Sequence, residues 1–303
     1  MGPVLTVGSV AFDSIRTPSG EASRVVGGAA TFFSVAASFF TDVRLVAVVG
    51  EDFGEPHMRV FGGRRIDLEG LQRVPGETFR WRGEYGVDLN SRQTIYTHLN
   101  VFSEFRPHIP LRFRTSRVVF LANIHPALQL EVLDQVESPE FVALDTMNYW
   151  IDGTPSELRA VLKRVHAVVI NDEEARQLSG ELSLVRAARA IRRMGPGRVI
   201  IKRGEHGVLV TTGDDFFATP AMPIEDVRDP TGAGDTFAGG CIGHLAAGGD
   251  LSDAGVARAV VCGSAMASLS VEDFGLSRLL GLTAEDVRGR FDAFKRLTHF
   301  EAL

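Results

Sequence analysis

Cysteine is the scarcest chemistry-bearing residue here, with two in 303 residues. Cys241 and Cys262 stand in apolar segments with no CxxC or Cys/His ligand spacing, so a disulfide framework and a zinc site are excluded in favour of buried thiols in a reducing compartment. Long apolar runs are missing too. None approaches the ~18 residues of a spanning helix, and the opening MGPVLTVGSVAFDS lacks a basic segment followed by an apolar one. The expectation is a soluble, cytoplasmic protein whose first residues already form a strand. Basic charge is likewise in deficit: a formal net charge of -6 and a pI near 5.8 weigh against nucleic acid or an anionic membrane as the main partner. No GxGxxG follows the first strand and no GxxxxGK(S/T) occurs, which argues against a dinucleotide-dependent dehydrogenase and a P-loop enzyme.

What is present is ordinary globular composition, 45% apolar and 23% charged, in a chain long enough for one large α/β domain with an appendage. Short β-type runs at 4–10, 44–49, 118–121, 141–144, 167–170 and 199–201 alternate with helical patterns at 29–40, 56–66, 128–136, 156–165 and 184–194. Strands alternating with helices predict a parallel sheet. A hairpin is expected over 207–218, and helices at 251–269 and 283–297. Residues 71–105 differ, with aromatic and β-branched stretches at 79–85 and 93–99 flanking a polar turn at 86–92. With 15–21 they predict a small sheet, discontinuous in sequence and too small for its own core. Such a sheet serves either as a lid over a crevice or as a dimer-forming edge. The predicted division is a main domain of 1–11, 22–70 and 106–303 with a lid of 12–21 and 71–105.

The stretch around which the rest is organised is DPTGAGDTFAGG, residues 229–240. Its glycines permit positive φ and close backbone approach, and the following apolar run starts a helix whose free N–H groups gather at one point. A helix start favours an anion, and Asp235 in the first turn would place a carboxylate beside a bound phosphate. A base next to a phosphate cradle suggests phosphoryl transfer to a hydroxyl.

Open α/β sheets bind ligands at the carboxyl ends of their strands, which picks out Asp13, Asn123, Asp145, Asn148, Asn171 and Lys202. Asp13 reads equally as a substrate contact or as a turn cap with Ser14, and Asp145 reads better as a cap for the following helix. Gly27 and Gly28 open a helix where the backbone could approach a ligand.

Taken together, the Gly232-Ala233-Gly234-Asp235 loop, Asn171-Asp172-Glu173-Glu174 before it, Lys202-Arg203-Gly204-Glu205-His206-Gly207 between, and Gly27-Gly28 near the start resemble the ribokinase or PfkB family of carbohydrate kinases over essentially the full length. The resemblance implies a ribokinase-like, three-layer α/β/α fold with a mostly parallel central sheet and a small β-sheet lid. It implies ATP and Mg2+, a small sugar, polyol or nucleoside as acceptor, and possible use of K+. A homodimer through the lid is the alternative use that the composition of the small sheet allows. Asp235 would be the general base, with the amides of Ala233, Gly234 and Asp235, after Gly232, as anion hole. Glu174, and less directly Asn171, would hold magnesium through water. Lys202, Gly204, Gly207, Thr231 and Cys262 would lie along the nucleotide, and Asp229 with Thr231 beside a monovalent cation. Asp13, Gly27, Gly28, Phe32 and Asn123 would face the acceptor. Local alternatives exist: Asn171 as a cap for the helix bearing Glu174, Lys202 as a solvated strand end, Asp229 as a cap for the turn at Pro230.

One departure bears on substrate. Sugar kinases of this family typically place an asparagine after the glycine pair to bond sugar hydroxyls, and the corresponding residue here is Phe32, which cannot. Either Thr31 replaces it or the acceptor presents an apolar edge, as a nucleobase would. A nucleoside is therefore the leading rival to a free sugar, and a non-catalytic nucleotide sensor the alternative of another class. Specificity is expected to lie in Asp13, Gly27, Gly28, Phe32 and the strands around Arg82 and Arg92.

Overall fold

Short apolar runs fold into strands buried on both faces. β1 (Val4–Val7) and β8 (Val118–Leu121) are buried throughout, as expected where helices cover each side of a parallel sheet. The computed structural model describes residues 2–89 and 91–299. Met1 and 300–303, assigned from sequence to the main domain, and Asn90, inside the predicted turn at 86–92, lie outside the described residues.

From β1 the chain forms β2 (Ala11–Thr17) and β3 (Gly20–Gly27), then α1 (Ala29–Ala37), β4 (Val43–Val49), the short α2 (Glu55–Met58) and β5 (Ile66–Arg73). The hairpin β6 (Phe79–Tyr85) and β7 (Arg92–His98) follows. The alternation then resumes with α3 (Leu111–Arg114), β8, α4 (Pro126–Gln135), β9 (Phe141–Asp145), α5 (Asn148–Gly153), α6 (Pro155–Leu162) and β10 (Ala167–Asn171). After α7 (Asp172–Ser179) and α8 (Leu184–Arg192) come β11 (Arg198–Lys202), β12 (Val208–Thr212) and β13 (Asp215–Thr219). The chain closes with α9 (Ala233–Gly248), α10 (Asp253–Ser270), α11 (Ser277–Leu280) and α12 (Ala284–Leu297).

The large sheet has the order β13-β12-β11-β10-β9-β8-β1-β4-β5, parallel from β5 to β11 with the β12–β13 hairpin antiparallel at one edge. Alternate residues along each strand face opposite layers. Val119 and Leu121 pack toward α4, α6 and α8, while Val118 and Phe120 pack toward α1, α9 and α10. Phe33 of α1 stacks on Phe120 with ring centroids 4.2 Å apart. This is the three-layer α/β/α arrangement the sequence predicts.

The small sheet has the order β3-β2-β6-β7, with β2 and β6 parallel in the middle. Two sequence expectations shift here. Residues 56–66 give only the one turn of α2 before β5, because Ile66 to Arg73 largely alternates apolar and polar residues, the period of a strand. β5 pairs with β4 in the large sheet, and β3 carries the small sheet on to Gly27, past the predicted limit at residue 21.

Candidate active site

The crevice lies where the parallel strands end and α9 begins. Gly232 caps α9 in the left-handed region, φ +73, and a Cβ there would stand 2.5 Å from ring carbons of Phe32. The loop thus turns on the face of a phenyl ring that is 1% exposed. Phe32 accordingly supports the loop from within the core instead of facing an acceptor. Thr31 is wholly buried, its hydroxyl unpartnered among the described residues, so it does not stand in for the missing asparagine either. Phe32 packs with Val35 and Ala36 of α1 against Met266 and Leu269 of α10.

Three loop amides are expected at the helix start, but Ala233 N–H donates to the Pro230 carbonyl at 3.2 Å. The turn that brings Pro230 round to α9 consumes it, leaving the amides of Gly234 and Asp235 for an anion, with that of Asp235 also leaning on its own carboxylate. The Lys202 ammonium stands over this point: a Cβ on Gly234 would lie 3.0 Å from Nζ. Lys202 is therefore not a solvated strand end. Its Nζ is 3.6 Å from Asp145 Oδ2, so Asp145 pairs with the lysine rather than capping α5, whose first turn has no side-chain cap. Parallel pairing of β9, β10 and β11 sets these strand ends side by side.

Burial dominates the electrostatics. Desolvation, helped by the nearby Asp145 charge, raises Asp235 to about 7 against the pull of Lys202 and Arg92. Desolvation likewise raises Glu174 to about 7. Burial would lower Lys202, but Asp145, Glu174 and Asp235 together hold its pKa above the ordinary lysine value. Glu174 and Asn171 form a capping box: Asn171 Oδ1 accepts from Glu174 N–H and Glu174 Oε2 accepts from Asn171 N–H, both at 2.8 Å. Asn171 is thus a helix cap that fixes Glu174 at the crevice.

On the opposite wall, Asp13 Oδ2 accepts from Gly28 N–H at 3.3 Å, and burial brings this carboxyl to about 7, with Asp229 and Asp235 adding to the rise. A Cβ on Gly27 would lie 1.9 Å from that oxygen, and one on Gly28 2.6 Å from the Ser9 carbonyl. The glycine pair is present because the chain's own groups fill those positions. It seats Asp13. Asp229 is also occupied, accepting from Thr231 N–H and Gly275 N–H, each at 2.8 Å, which is the turn-capping arrangement. Asn123 Oδ1 accepts from Trp150 Nε1–H at 2.9 Å. Gly207, φ +83, lets β12 start against the Thr219 carbonyl, and Gly204 opens a tight turn. Cys262 is 6% exposed in the seam between α10 and α9, where burial pushes its thiol up to about 12.

Tyr85 of the small sheet escaped the sequence reading altogether. Its hydroxyl lies 3.0 Å from Thr231 Oγ1, joining β6 to the anion loop. No periodicity or motif marks such a contact between residues 146 positions apart.

The raised carboxyls set a pH dependence. A carboxyl at about 7 in the fold and about 4 unfolded contributes stability that is complete below about pH 4 and lost as pH rises through about 7. The ligand-free protein is therefore expected to melt at lower temperature at pH 8 than at pH 5.5, with part of the difference removed in Asp13→Asn. Calorimetric melting across that range checks this, and a melting temperature rising with pH in both proteins would refute it.

An anion cradle at a helix start, flanked by a half-buried carboxylate and a half-buried ammonium, is the arrangement a phosphotransferase requires. Residues 2–280 match the model of the pfkB family carbohydrate kinases, and the chain belongs to that family. Among curated relatives, the cytidine kinase of Thermococcus kodakarensis is 30% identical over 255 residues, spanning 82% of this chain and 91% of that one. Among solved structures, the nucleoside kinase of Methanocaldococcus jannaschii, an archaeal member of the ribokinase family, superposes with a TM-score of 0.78 at 21% identity, covering 97% of this chain and 99% of that one. An E. coli protein described as a candidate ribokinase II, solved with ATP and Mg2+, gives a TM-score of 0.80 at 18% identity over 97% and 100%. The protein is a kinase of the ribokinase fold. Among the described residues no helix is long and apolar enough to cross a membrane.

Proposed function

We propose that the chain transfers the γ-phosphoryl group of ATP to a hydroxyl on the sugar of a nucleoside, with a free sugar or polyol as the second choice. The observation that carries the reaction type is Asp235, half-buried in the first turn of α9 next to Gly234, over which stands the Lys202 ammonium, whose charge acts on the carboxyl. A carboxyl with pKa about 7 is half ionised at neutral pH, where a general base is most effective. Asp235 takes the acceptor's hydroxyl proton as that oxygen bonds to the γ-phosphorus. The bond from γ-phosphorus to the bridging oxygen breaks and ADP leaves. The Gly234 and Asp235 amides bear the charge on the transferred group.

Among the described residues no three His, Cys, Asp or Glu side chains gather to hold a metal ion by themselves. That donor set fits magnesium carried mainly by the phosphates, with Glu174 reached through water, where the ion would neutralise charge on the β- and γ-phosphates. The small sheet, joined to the loop by Tyr85 and Thr231, would act as the lid that excludes water.

Asp13 supports a sugar acceptor. A carboxylate fixed on a backbone amide opposite the base can accept hydrogen bonds from neighbouring ring hydroxyls. The cytidine kinase and nucleoside kinase among its relatives support a nucleoside, as does a core-facing Phe32 where an asparagine would read sugar hydroxyls. Asp13→Ala is expected to raise the acceptor KM by about 10–100-fold, in line with a lost charged hydrogen bond, with the KM for ATP little changed. Equal change in both would remove Asp13 from the acceptor site. The function itself is tested by magnesium-dependent ADP release across nucleosides, sugars, sugar phosphates and inositols, with and without potassium. Nucleosides are expected to lead. Silence over the whole panel with ATP binding intact would replace this reading with a nucleotide sensor.

A further inference from the structure

Beneath the crevice lies a glutamine with no surface exposed. Gln129 stands near the start of α4, where Pro126 opens the helix and His125 Nδ1 accepts from Ala127 N–H at 3.1 Å. Its side-chain amide donates to two main-chain carbonyls, that of Ala122 at 2.9 Å and that of Asp145 at 3.1 Å. Carbonyls only accept, so the amino group is the end that faces them. The pairing of β8 with β9 stops at Leu121 opposite Leu144, and Ala122 and Asp145 are the residues that follow. Gln129 thus joins the two chains just past the last rung of their ladder.

The other end of the amide is costly. Gln129 Oε1 is buried with no hydrogen-bond partner among the described residues, and an unpaired buried carbonyl oxygen destabilises a fold. A methionine would fill much the same space without that oxygen. The glutamine is therefore better explained by what its amino group holds than by packing.

What it holds leads to the site. The peptide between Asp145 and Thr146 is fixed on both sides: its C=O accepts from Gln129, and its N–H donates to Asp145 Oδ1 at 2.8 Å. That planar unit orients the carboxylate, whose Oδ2 lies 3.6 Å from Lys202 Nζ. Lys202 in turn stands over Gly234 at the start of α9. Rotation of the peptide would swing the carboxylate away from the lysine, and Gln129 opposes that rotation.

We infer that Gln129 is a positioning residue for phosphoryl transfer: by holding the Asp145 and Ala122 carbonyls together it fixes the carboxylate that sets the Lys202 ammonium over the anion loop. This rests on the kinase reading above. Wholly buried, Gln129 touches neither nucleotide nor acceptor and acts only through Asp145 and Lys202.

The test is a double-variant comparison. Gln129→Met keeps the length of the side chain and removes both donors. Turnover and KM are measured by ADP release, with magnesium and the full chain, for Gln129→Met, Lys202→Met and the two combined. Gln129→Met is expected to lower kcat by about 5–50-fold with the acceptor KM within about twofold, less than the ~100-fold that a 1 Å misplacement at a reacting centre costs. In the Lys202→Met background the same substitution is expected to cost less than about twofold, because the group it positions is gone. A full further loss there would show that Gln129 acts by another route. An unchanged kcat in the single variant, or a raised acceptor KM alone, would make it a core residue only. Each of these results overturns the proposal. If melting shows that Gln129→Met does not fold, Gln129→Asn, too short to reach both carbonyls, carries the same comparison. Failure of the kinase reading looks different: the parent protein then releases no ADP with any acceptor, and the proposal falls with it.

Discussion

Asp235→Asn is expected to lower turnover by about 10²–10⁴-fold, the usual worth of a positioned general base, while leaving ATP affinity close to that of the parent. The amide keeps the shape of the side chain and the two loop amides stay in place, so nucleotide binding has no reason to change. Stability should move the other way. In the parent at pH 8 this carboxyl is held ionised in a buried site, beside Asp145, at a cost its pKa of about 7 records. Asparagine carries no charge to bury. The variant is therefore expected to melt at higher temperature than the parent at pH 8, with the gain shrinking as pH falls below about 6. A protein that becomes more stable while losing turnover shows stability given up for chemistry at that position. Rate measurements by ADP release and melting at pH 5.5 and 8 check both halves. An unchanged rate would strip Asp235 of its role as base, and a melting temperature lowered at pH 8 would contradict the burial argument.

The second large effect belongs to Gly232. Alanine there would carry a Cβ at φ +73, a conformation costing a side-chain-bearing residue about 1–2 kcal/mol. The same Cβ would press onto the Phe32 ring at 2.5 Å, where overpacking adds about 1–3 kcal/mol. Gly232→Ala should therefore lose about 2–5 kcal/mol of stability in denaturant titration. Because the strained residue is the cap of α9, the loop should shift and turnover fall by about 10²–10³-fold, as when an oxyanion donor is displaced. Adding Phe32→Leu separates the two causes. The double variant is expected to regain the packing part of the stability and leave the backbone part lost. If Gly232→Ala were neutral in both measurements, the phenyl support under the loop would be no constraint at all.

How much of this was legible beforehand differs from residue to residue. The anion loop was, because its signal is contiguous: glycines, a carboxylate and an apolar helix within residues 229–240. The parallel sheet was, because strands covered on both sides must be continuously apolar. β5 was missed, since a half-buried edge strand with charged residues carries a weaker pattern than a fully buried one. Asn171 was read both as magnesium-side residue and as helix cap, and the capping box shows the second. Asp145 was read as a cap and proved to be the partner of Lys202, a contact between strand ends that no spacing along the chain encodes.

The sequence by itself determined the layered fold, the kinase family and the place of Asp235 at a helix start, since each follows from local pattern: hydrophobic period, turn chemistry and a short motif. Only the tertiary structure decided what surrounds that aspartate. Phe32 beneath Gly232, Lys202 over Gly234, Asp13 seated on Gly28 and Tyr85 reaching Thr231 are meetings of distant segments. The physical reason is that burial and charge are properties of the packed neighbourhood. A carboxyl reaches a pKa of about 7 through the removal of water and the approach of other charges, and both arrive only when the sheet, the helices and the small sheet close on one another.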